Sequence, residues 1–271
     1  MLDKSRAIIK NLQFYDEPEH ACIVIAHRGS SSDYPENTVR AFQKAEAVKA
    51  DMIELDIQLS KDGIPMVFHD DTLERCTNGT GKLNQYTCDE LRKLDAGGWK
   101  NPDFSGEKIP TLEEVLSFAK NKIAVNVEIK AHDGVVDSGI EVQAFKLVKK
   151  YEMERHVLFS CFNTTILKRL RELSGTIPLA LLYERNNHLE NPPIELINEY
   201  QLNAFNCSKW SARKRWIKEL KRHDIPMMVY TVNSQWLMKK LIKNGVKGIF
   251  TNKPDVLRQQ LEMMNNEKIY R

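Results

Sequence analysis

The chain has 271 residues, of which 42% are hydrophobic and 28% are charged, a composition typical of a folded domain with a well-solvated surface. Forty basic and 37 acidic residues leave a formal net charge of +3, which is too small to indicate a nucleic-acid or membrane partner. No apolar stretch reaches the length of a signal peptide or a membrane span. Five dispersed cysteines without a CxxC pair indicate reduced thiols in a cytoplasmic protein.

Short apolar runs alternate with amphipathic stretches along the chain, which predicts βα units and a parallel sheet. The runs typical of strands are 22–26, 52–57, 65–69, 123–129, 156–160, 178–183, 203–207, 226–232 and 248–250. The stretches typical of helices are 37–49, 111–121, 138–151, 163–173, 192–200, 210–222, 235–244 and 254–264. Asn37, Thr111 and Ser234 are the expected N-caps, and Gly245 directly follows its helix.

The third apolar run is the exception to this alternation. Only QLSKDG separates it from the second run, whereas a parallel crossover needs about a dozen residues. Asp62-Gly63 is instead a hairpin signal, so we expect residues 58–69 to return antiparallel to the second strand. With the aperiodic polar stretch that follows, we interpret 58–110 as an inserted subdomain above the barrel mouth. Eight βα units remain, which predicts a TIM (β/α)8 barrel as a single domain over residues 1–271.

Acidic residues are concentrated at the C-terminal ends of the early strands, where barrels place functional groups. Glu54 and Asp56 are two residues apart on one strand, so both side chains face the same way. Their neighbours are apolar, which favours a buried strand over a solvated face, and buried carboxylates need a counter-charge. A divalent cation would supply it, with Glu128 as a third oxygen ligand. An all-oxygen ligand set favours Mg²⁺ or Ca²⁺ over zinc.

Two cations accompany these acids. Lys130 shares the inward face of Glu128, where it can form a salt bridge, contact a phosphoryl oxygen, or do both. Arg28 can bind phosphate through two N–H groups. Glu36 precedes the expected cap Asn37 and is either part of the helix start or a polar partner of a site residue.

Two histidines are predicted to converge on the same place. His27 ends the first strand, and a turn centred on residues 61–62 would bring His69 opposite Glu54 or Leu55. Phosphodiester hydrolysis needs a base to activate the nucleophile and an acid to protonate the leaving alkoxide. Two imidazoles with pKa values near neutrality can supply both.

Several stretches make the chain resemble the glycerophosphodiester phosphodiesterase family: AHRGSSSDYPENT (26–38), IELDIQLSKDGIPMVFHDDTLERCTNGTG (53–81), IPTLEEVL (109–116), VNVEIK (125–130), SCFN (160–163), YTVN (230–233) and GVKGIFTNKPD (245–255). The resemblance implies a barrel with an insertion after the second strand, and hydrolysis to sn-glycerol 3-phosphate and an alcohol. It also implies roles for site residues: metal ligation by Glu54, Asp56 and Glu128, proton transfer by His27 and His69, and phosphate contact by Arg28 and Lys130.

Two positions depart from the pattern of this family. Tyr230 stands where the family commonly has Trp, which changes the pocket wall and adds a hydroxyl. Asn252 stands where Asp is common, but Asn caps a helix equally well before Pro254. Phe162 and Tyr230, both at strand ends, are expected to line the site of a small-molecule glycerophosphodiester.

Two other functions remain open. A lysophospholipase D using the same site would need an apolar groove at the mouth for an acyl chain, with these aromatic residues as its possible lining: Trp99, Phe104, Phe162, Trp210 and Trp236. A non-catalytic phosphate-sugar binding protein is disfavoured, because binding alone does not need two proton carriers.

Overall fold

Eight of the nine described strands form a closed ring. In the computed structural model, which describes residues 22–130, 139–185 and 191–269, the nine strands are β1 (Ile23–His27), β2 (Met52–Leu59), β3 (Pro65–Val67), β4 (Ala124–Ile129), β5 (Val157–Cys161), β6 (Leu179–Tyr183), β7 (Ala204–Ser208), β8 (Met227–Tyr230) and β9 (Gly248–Thr251). Strand β1 pairs in parallel with β2 on one side and with β9 on the other. The remaining neighbours β2-β4-β5-β6-β7-β8-β9 are also parallel, so eight strands close a TIM barrel, as predicted.

Helices occupy the connections between the barrel strands and follow the last of them. They are α1 (Val39–Ala47), α2 (Cys88–Leu91), α3 (Leu112–Ala119), α4 (Ile140–Lys150), α5 (Thr164–Leu173), α6 (Pro193–Tyr200), α7 (Lys214–Arg222), α8 (Gln235–Asn244) and α9 (Pro254–Ile269). Each helix predicted from the sequence has its counterpart here. Helix α7 begins four residues later than predicted, α9 continues five residues further, and residue 138 of the predicted fourth helix lies outside the described residues. None of the described helices combines the length and apolar character needed to cross a membrane.

The ends of the helices test the predicted caps. Thr111 forms a full capping box with Glu114, and Gly245 ends α8 in the left-handed conformation at φ +91°. Ser234 occupies the cap position of α8 without a side-chain hydrogen bond. The prediction for Asn37 was wrong. Thr38 caps α1, because Asn37 adopts φ +57° rather than the extended backbone that a cap requires.

The interior of the barrel is divided along its axis. Alternate residues of the strands point inward, and those at the N-terminal ends form an apolar floor: Ile23, Ile25, Met52, Ala124, Leu158, Ala180, Ala204, Met228 and Phe250. One or two inward positions further along, the residues are instead polar or charged, as at His27, Glu54, Asp56, Asn126 and Glu128. The site is therefore a polar layer built on a closed apolar floor.

The segment after β2 returns along that strand and then packs on itself. Strand β3 pairs antiparallel with β2, with Ile57 opposite Val67. Continuing this register places His69 level with Leu55, as the hairpin prediction requires. The side-chain amide of Gln58 donates to the carbonyls of Phe68 and Asp70 and so fixes the end of the arm. The segment has a small core of its own: Met66, Phe68, Leu73, Cys76, Leu83, Leu91, Ala96 and Ile109. That residues 1–271 are one domain with an insertion at 58–110 stays a prediction.

A buried ion pair ties the last helix to the bottom of the barrel. The guanidinium of Arg258 donates to the Lys49 carbonyl and to Asp51 at 2.6 Å. The second oxygen of Asp51 accepts from the backbone N–H of Val24 at 2.7 Å. The side chains of Arg258 and Asp51 are each only 10% exposed. This contact therefore links α9, the turn after α1, and the first strand.

Replacing Arg258 with Ala should destabilise the fold by about 3 kcal/mol, because it removes the guanidinium that pairs with a buried carboxylate and donates to a carbonyl. The matched control is Lys120→Ala, whose partner Glu152 is 82% exposed. That variant should lose less than about 1 kcal/mol. Urea unfolding of both proteins measures the difference, and equal losses would contradict the assigned role of Arg258.

Candidate active site

The site begins with a tight turn after β1. Arg28 and Gly29 both have left-handed backbones, at φ +54° and +81°. A Cβ atom at Gly29 would lie 2.7 Å from the Ala41 backbone, so glycine is required there both by its φ and by the available space. The turn directs the backbone N–H of Arg28 to Oε2 of Glu54 at 2.8 Å. The loop thereby supplies a donor to a buried acid.

Three carboxylates meet at the centre of the mouth. Glu54 and Asp56 lie on β2, and the β2–β4 register places Glu128 beside Asp56. One oxygen from each residue lies within 4.8 Å of the other two, and the residues are 1%, 1% and 8% exposed. Within the described ranges, this is the cluster of acidic, His or Cys side chains close enough to share a metal ion.

The charges of these acids are unequally compensated. Burial, reinforced by the neighbouring carboxylates, raises the pKa of Glu54 well above its ordinary range. Burial also raises the pKa of Glu128. Burial opposes ionisation of Asp56 too, but the charges of Lys130 and Arg28 outweigh it and hold the pKa of Asp56 below its ordinary range. A divalent cation fits this donor set, because it stabilises the ionised forms that burial disfavours.

The cations lie on either side of Asp56. Nε of Arg28 is 3.2 Å from one carboxylate oxygen, and Nζ of Lys130 is 3.1 Å from the other. Lys130 also forms the expected salt bridge with Glu128. Asn37 donates its side-chain amide to Asp56 at 2.8 Å, which explains why it does not cap α1. Asp56 is thus the electrostatic centre of the cluster.

His27 is hydrogen-bonded to a residue 225 positions later in the chain. Its Nδ1 lies 2.8 Å from Oδ1 of Asn252. Because Oδ1 carries only lone pairs, Nδ1 donates, and Nε2 is left to exchange a proton. Burial, followed by the charge of Arg28, lowers the pKa of His27 to about 4, so the ring is neutral at neutral pH. Asn252, expected as a helix cap, contacts His27 instead.

His69 is oriented from within the insertion. Its Nδ1 lies 2.6 Å from Oδ1 of Asp70. The hydrogen bonds from Arg75 lower the pKa of Asp70 to about 2, so this acceptor is ionised and Nε2 of His69 is free. The positive charge of His69 lowers the pKa of Asp56. The negative charge of Asp56 in turn raises the pKa of His27 and offsets part of the lowering caused by burial. Both histidines therefore lie within electrostatic reach of Asp56.

Two features of this arrangement were not resolved by the sequence. Glu36 accepts from Nη1 of Arg28 at 2.7 Å, so it is a partner of a site residue rather than only part of a helix start. Asp70 and Arg75 were not predicted at all. Their signal was the charged character of HDDTLER, which lies in a stretch without periodicity.

The aromatic residues of the mouth have different settings. Phe162 packs edge-on against Tyr230 with ring centroids 6.2 Å apart. The Tyr230 hydroxyl donates to the Tyr183 carbonyl at 2.9 Å, so it joins two strand ends. Phe104 packs on Tyr34 at 5.2 Å. The other residues considered for an acyl groove are more open, with exposed fractions of 38% for Trp99, 85% for Trp210 and 69% for Trp236.

Comparison with known proteins gives consistent matches. Residues 27–256 match the model of the glycerophosphoryl diester phosphodiesterase family. A glycerophosphodiester phosphodiesterase of Caldanaerobacter subterraneus is 38% identical over 237 residues, covering 87% of this chain and 96% of the relative. One of Bacillus subtilis is 33% identical over 251 residues, covering 88% and 85%. Among solved structures, an Oleispira antarctica phosphodiesterase in complex with the product sn-glycerol-3-phosphate has a TM-score of 0.82 and 28% identity, covering 89% and 96%.

Replacing Asn252 with Asp should raise the pKa of His27 from about 4 toward its ordinary value of 6.5, because a carboxylate at this position stabilises the imidazolium. Asn252→Ala removes the present hydrogen bond and should lower the pKa further. The unfolded chain binds the imidazole proton of His27 more tightly than the folded protein does. The free energy of unfolding therefore decreases as the pH falls from 6.5 to about 4. Asn252→Asp should make this decrease smaller. NMR titration of His27 after chelation measures the pKa. An unchanged value in Asn252→Asp would contradict the assigned contact.

Replacing Glu54 with Gln should stabilise the metal-free protein at neutral pH, since it removes a buried charge from a repulsive cluster. Glu54 has a raised pKa, so its favourable contribution is present at low pH and is lost as the pH rises through that pKa. Mg²⁺ or Ca²⁺ at a hundredfold excess over its dissociation constant should stabilise the wild-type protein by about 2.7 kcal/mol. The same concentration of ion should stabilise Glu54→Gln far less. Thermal unfolding with and without chelator tests both effects. Equal stabilisation of the two proteins by the ion would refute Glu54 as a ligand.

Proposed function

The chain belongs to the glycerophosphoryl diester phosphodiesterase family, and from this membership we propose that it hydrolyses glycerophosphodiesters to sn-glycerol 3-phosphate and an alcohol in a metal-dependent reaction. It is thus a phosphoric diester hydrolase. The observation that carries the proposal is the convergence, on one barrel mouth, of three buried carboxylates, two cations and two histidines anchored through Nδ1. Binding alone would not need two oriented proton carriers, so this arrangement supports catalysis.

One Mg²⁺ or Ca²⁺ is assigned to Glu54, Asp56 and Glu128. These residues would hold the ion, because one oxygen from each lies within 4.8 Å of the other two and such ions take oxygen ligands at about 2.0–2.6 Å. When bound, the ion would act as a Lewis acid toward the phosphoryl group. Asp56, whose pKa is held below its ordinary range, keeps its negative charge and holds Arg28 and Lys130 in place.

The phosphate of the substrate is assigned to Arg28 and Lys130. They flank Asp56, and their exposed side-chain fractions of 16% and 13% leave each group reachable from the mouth. Arg28 has a rigid guanidinium supported by Glu36, which suits a fixed phosphate orientation. Phe162 and Tyr230 are assigned to the pocket wall. The Tyr230 hydroxyl already donates to the Tyr183 carbonyl, so its ring is assigned to contact the substrate.

The proton transfers are assigned to His27 and His69. Each donates a hydrogen bond from Nδ1–H to a neighbouring oxygen and offers Nε2 for exchange. One imidazole accepts a proton from the attacking group, and the other donates a proton to the departing alkoxide. A cytoplasmic location fits the five free cysteines.

Product analysis tests the reaction class. Glycerophosphocholine and glycerophosphoethanolamine should yield sn-glycerol 3-phosphate and the free alcohol, and turnover should cease after exhaustive chelation. Resupply of Mg²⁺ or Ca²⁺ should restore it. A lysophospholipid assayed in parallel separates the lysophospholipase D alternative, which requires faster turnover of that substrate. Full turnover without metal would refute the metal-dependent reaction.

Replacing His27 or His69 with Ala should each reduce kcat by about 10²–10⁴-fold, because each removes one proton carrier, while metal affinity should change little. The double variant should lose less than the product of the two effects. His223→Ala is the matched control, since His223 is exposed at the end of α7. A p-nitrophenyl leaving group needs little protonation, so it should partly rescue the acid variant only. Near wild-type rates in both variants on the natural diester would refute the pair.

A further inference from the structure

We propose that Arg75 is a positioning residue that aligns His69 of the insertion with Arg28 of the barrel. The inference rests on the proposed function, because it concerns the two groups assigned to proton transfer and phosphate binding. Arg75 lies in the insertion, five residues after Asp70 and 39 residues after Glu36. It touches neither His69 nor Arg28 directly and acts on each through a carboxylate.

The guanidinium of Arg75 binds two carboxylates at once. Nη1 and Nη2 donate to the two oxygens of Glu36 at 2.9 and 2.8 Å. Nε and Nη2 donate to the two oxygens of Asp70, the latter at 2.9 Å. Four hydrogen bonds thus leave one planar group in two forked pairs. Such geometry is available to arginine but not to lysine, whose donors radiate from one nitrogen.

Both carboxylates hold a site residue on their other side. Asp70 accepts from Nδ1 of His69, and Glu36 accepts from Nη1 of Arg28. Through Glu36 and Asp70, one guanidinium therefore sets the distance between a proton carrier on the insertion and a phosphate ligand on the barrel. If Arg75 is lost, the carboxylates of Glu36 and Asp70 can rotate. His69 and Arg28 are then no longer held at a fixed position relative to each other.

The position of Arg75 favours alignment over a general role in stability. Its side chain is 45% exposed, and ion pairs this open contribute little to folding. The insertion has other attachments, namely β3, the Gln58 contacts and the ion pair of Arg92 with Glu114 on α3. Loss of Arg75 should therefore leave the fold and the carboxylate cluster intact while loosening His69 and Arg28.

The test compares Arg75→Ala and Arg75→Lys with Arg92→Ala in the full chain. Arg92 is the matched control, because it also joins the insertion to α3 but donates to the Ile109 carbonyl and to Glu114, neither of which contacts a proposed site residue. With glycerophosphocholine and saturating metal, Arg75→Ala should lower kcat by about 10–100-fold, the range expected when groups supporting a reacting side chain are removed. Arg75→Lys should recover only a small part, and Arg92→Ala should keep the wild-type kcat.

Two further measurements separate alignment from other roles. Guanidinium chloride at tens of millimolar should partly restore Arg75→Ala, whereas sodium chloride at the same ionic strength should not. Adding Arg75→Ala to His69→Ala should cost much less than it costs alone, since residues that act as a unit are non-additive. A change confined to KM would instead assign Arg75 to direct substrate binding and overturn the proposal. Unchanged kcat, full recovery by Lys, or additive losses would also overturn it.

The proposed function and this inference fail in different ways. If the wild type turns over none of the diesters, the proposed function is wrong, and the alignment is then decided by NMR of the labelled His69 imidazole. The Nδ1–H tautomer should dominate in the wild type and in Arg92→Ala, and should give way to a tautomer mixture in Arg75→Ala. An unchanged tautomer in Arg75→Ala would overturn the inference.

Discussion

The mutual repulsion of Glu54, Asp56 and Glu128 is the constraint on which the mouth of the barrel depends. The register of β2 against β4 brings the three carboxylates together, and burial removes the water that would screen them. The surrounding groups offset this repulsion with positive charge or N–H donors from two connections, the loop between β1 and α1 and the segment after β4. They are the Arg28 side chain and backbone N–H, the Asn37 amide and Lys130.

The same constraint explains the irregular backbone around the site. Arg28, Gly29 and Asn37 all adopt positive φ within ten residues, an arrangement with a conformational cost at the non-glycine positions. These conformations direct the N–H donors of the loop toward the acids before the chain enters α1. The apolar floor below makes this possible, because it fixes the strands from which the loop departs.

The fold and much of the site could be predicted because both follow from local patterns. Parallel strands end at the same edge, so residues at their C-terminal ends must meet, and the short QLSKDG link forces a hairpin. The network of Glu36, Asp70 and Arg75 could not be read in this way. It depends on which side chains meet between elements remote in sequence. Asn37 was misread for the same reason, since its partner Asp56 lies on another element.

The contact between His27 and Asn252 has a consequence for the biosynthesis of the enzyme. These residues are 225 positions apart, and β1 completes its pairing only when β9 is present. During translation, His27 therefore leaves the ribosome 225 residues ahead of the acceptor that its ring contacts. A chain released before β9 is made therefore contains the three clustered acids, but its His27 lacks the Asn252 acceptor and one edge of β1 lacks its partner strand.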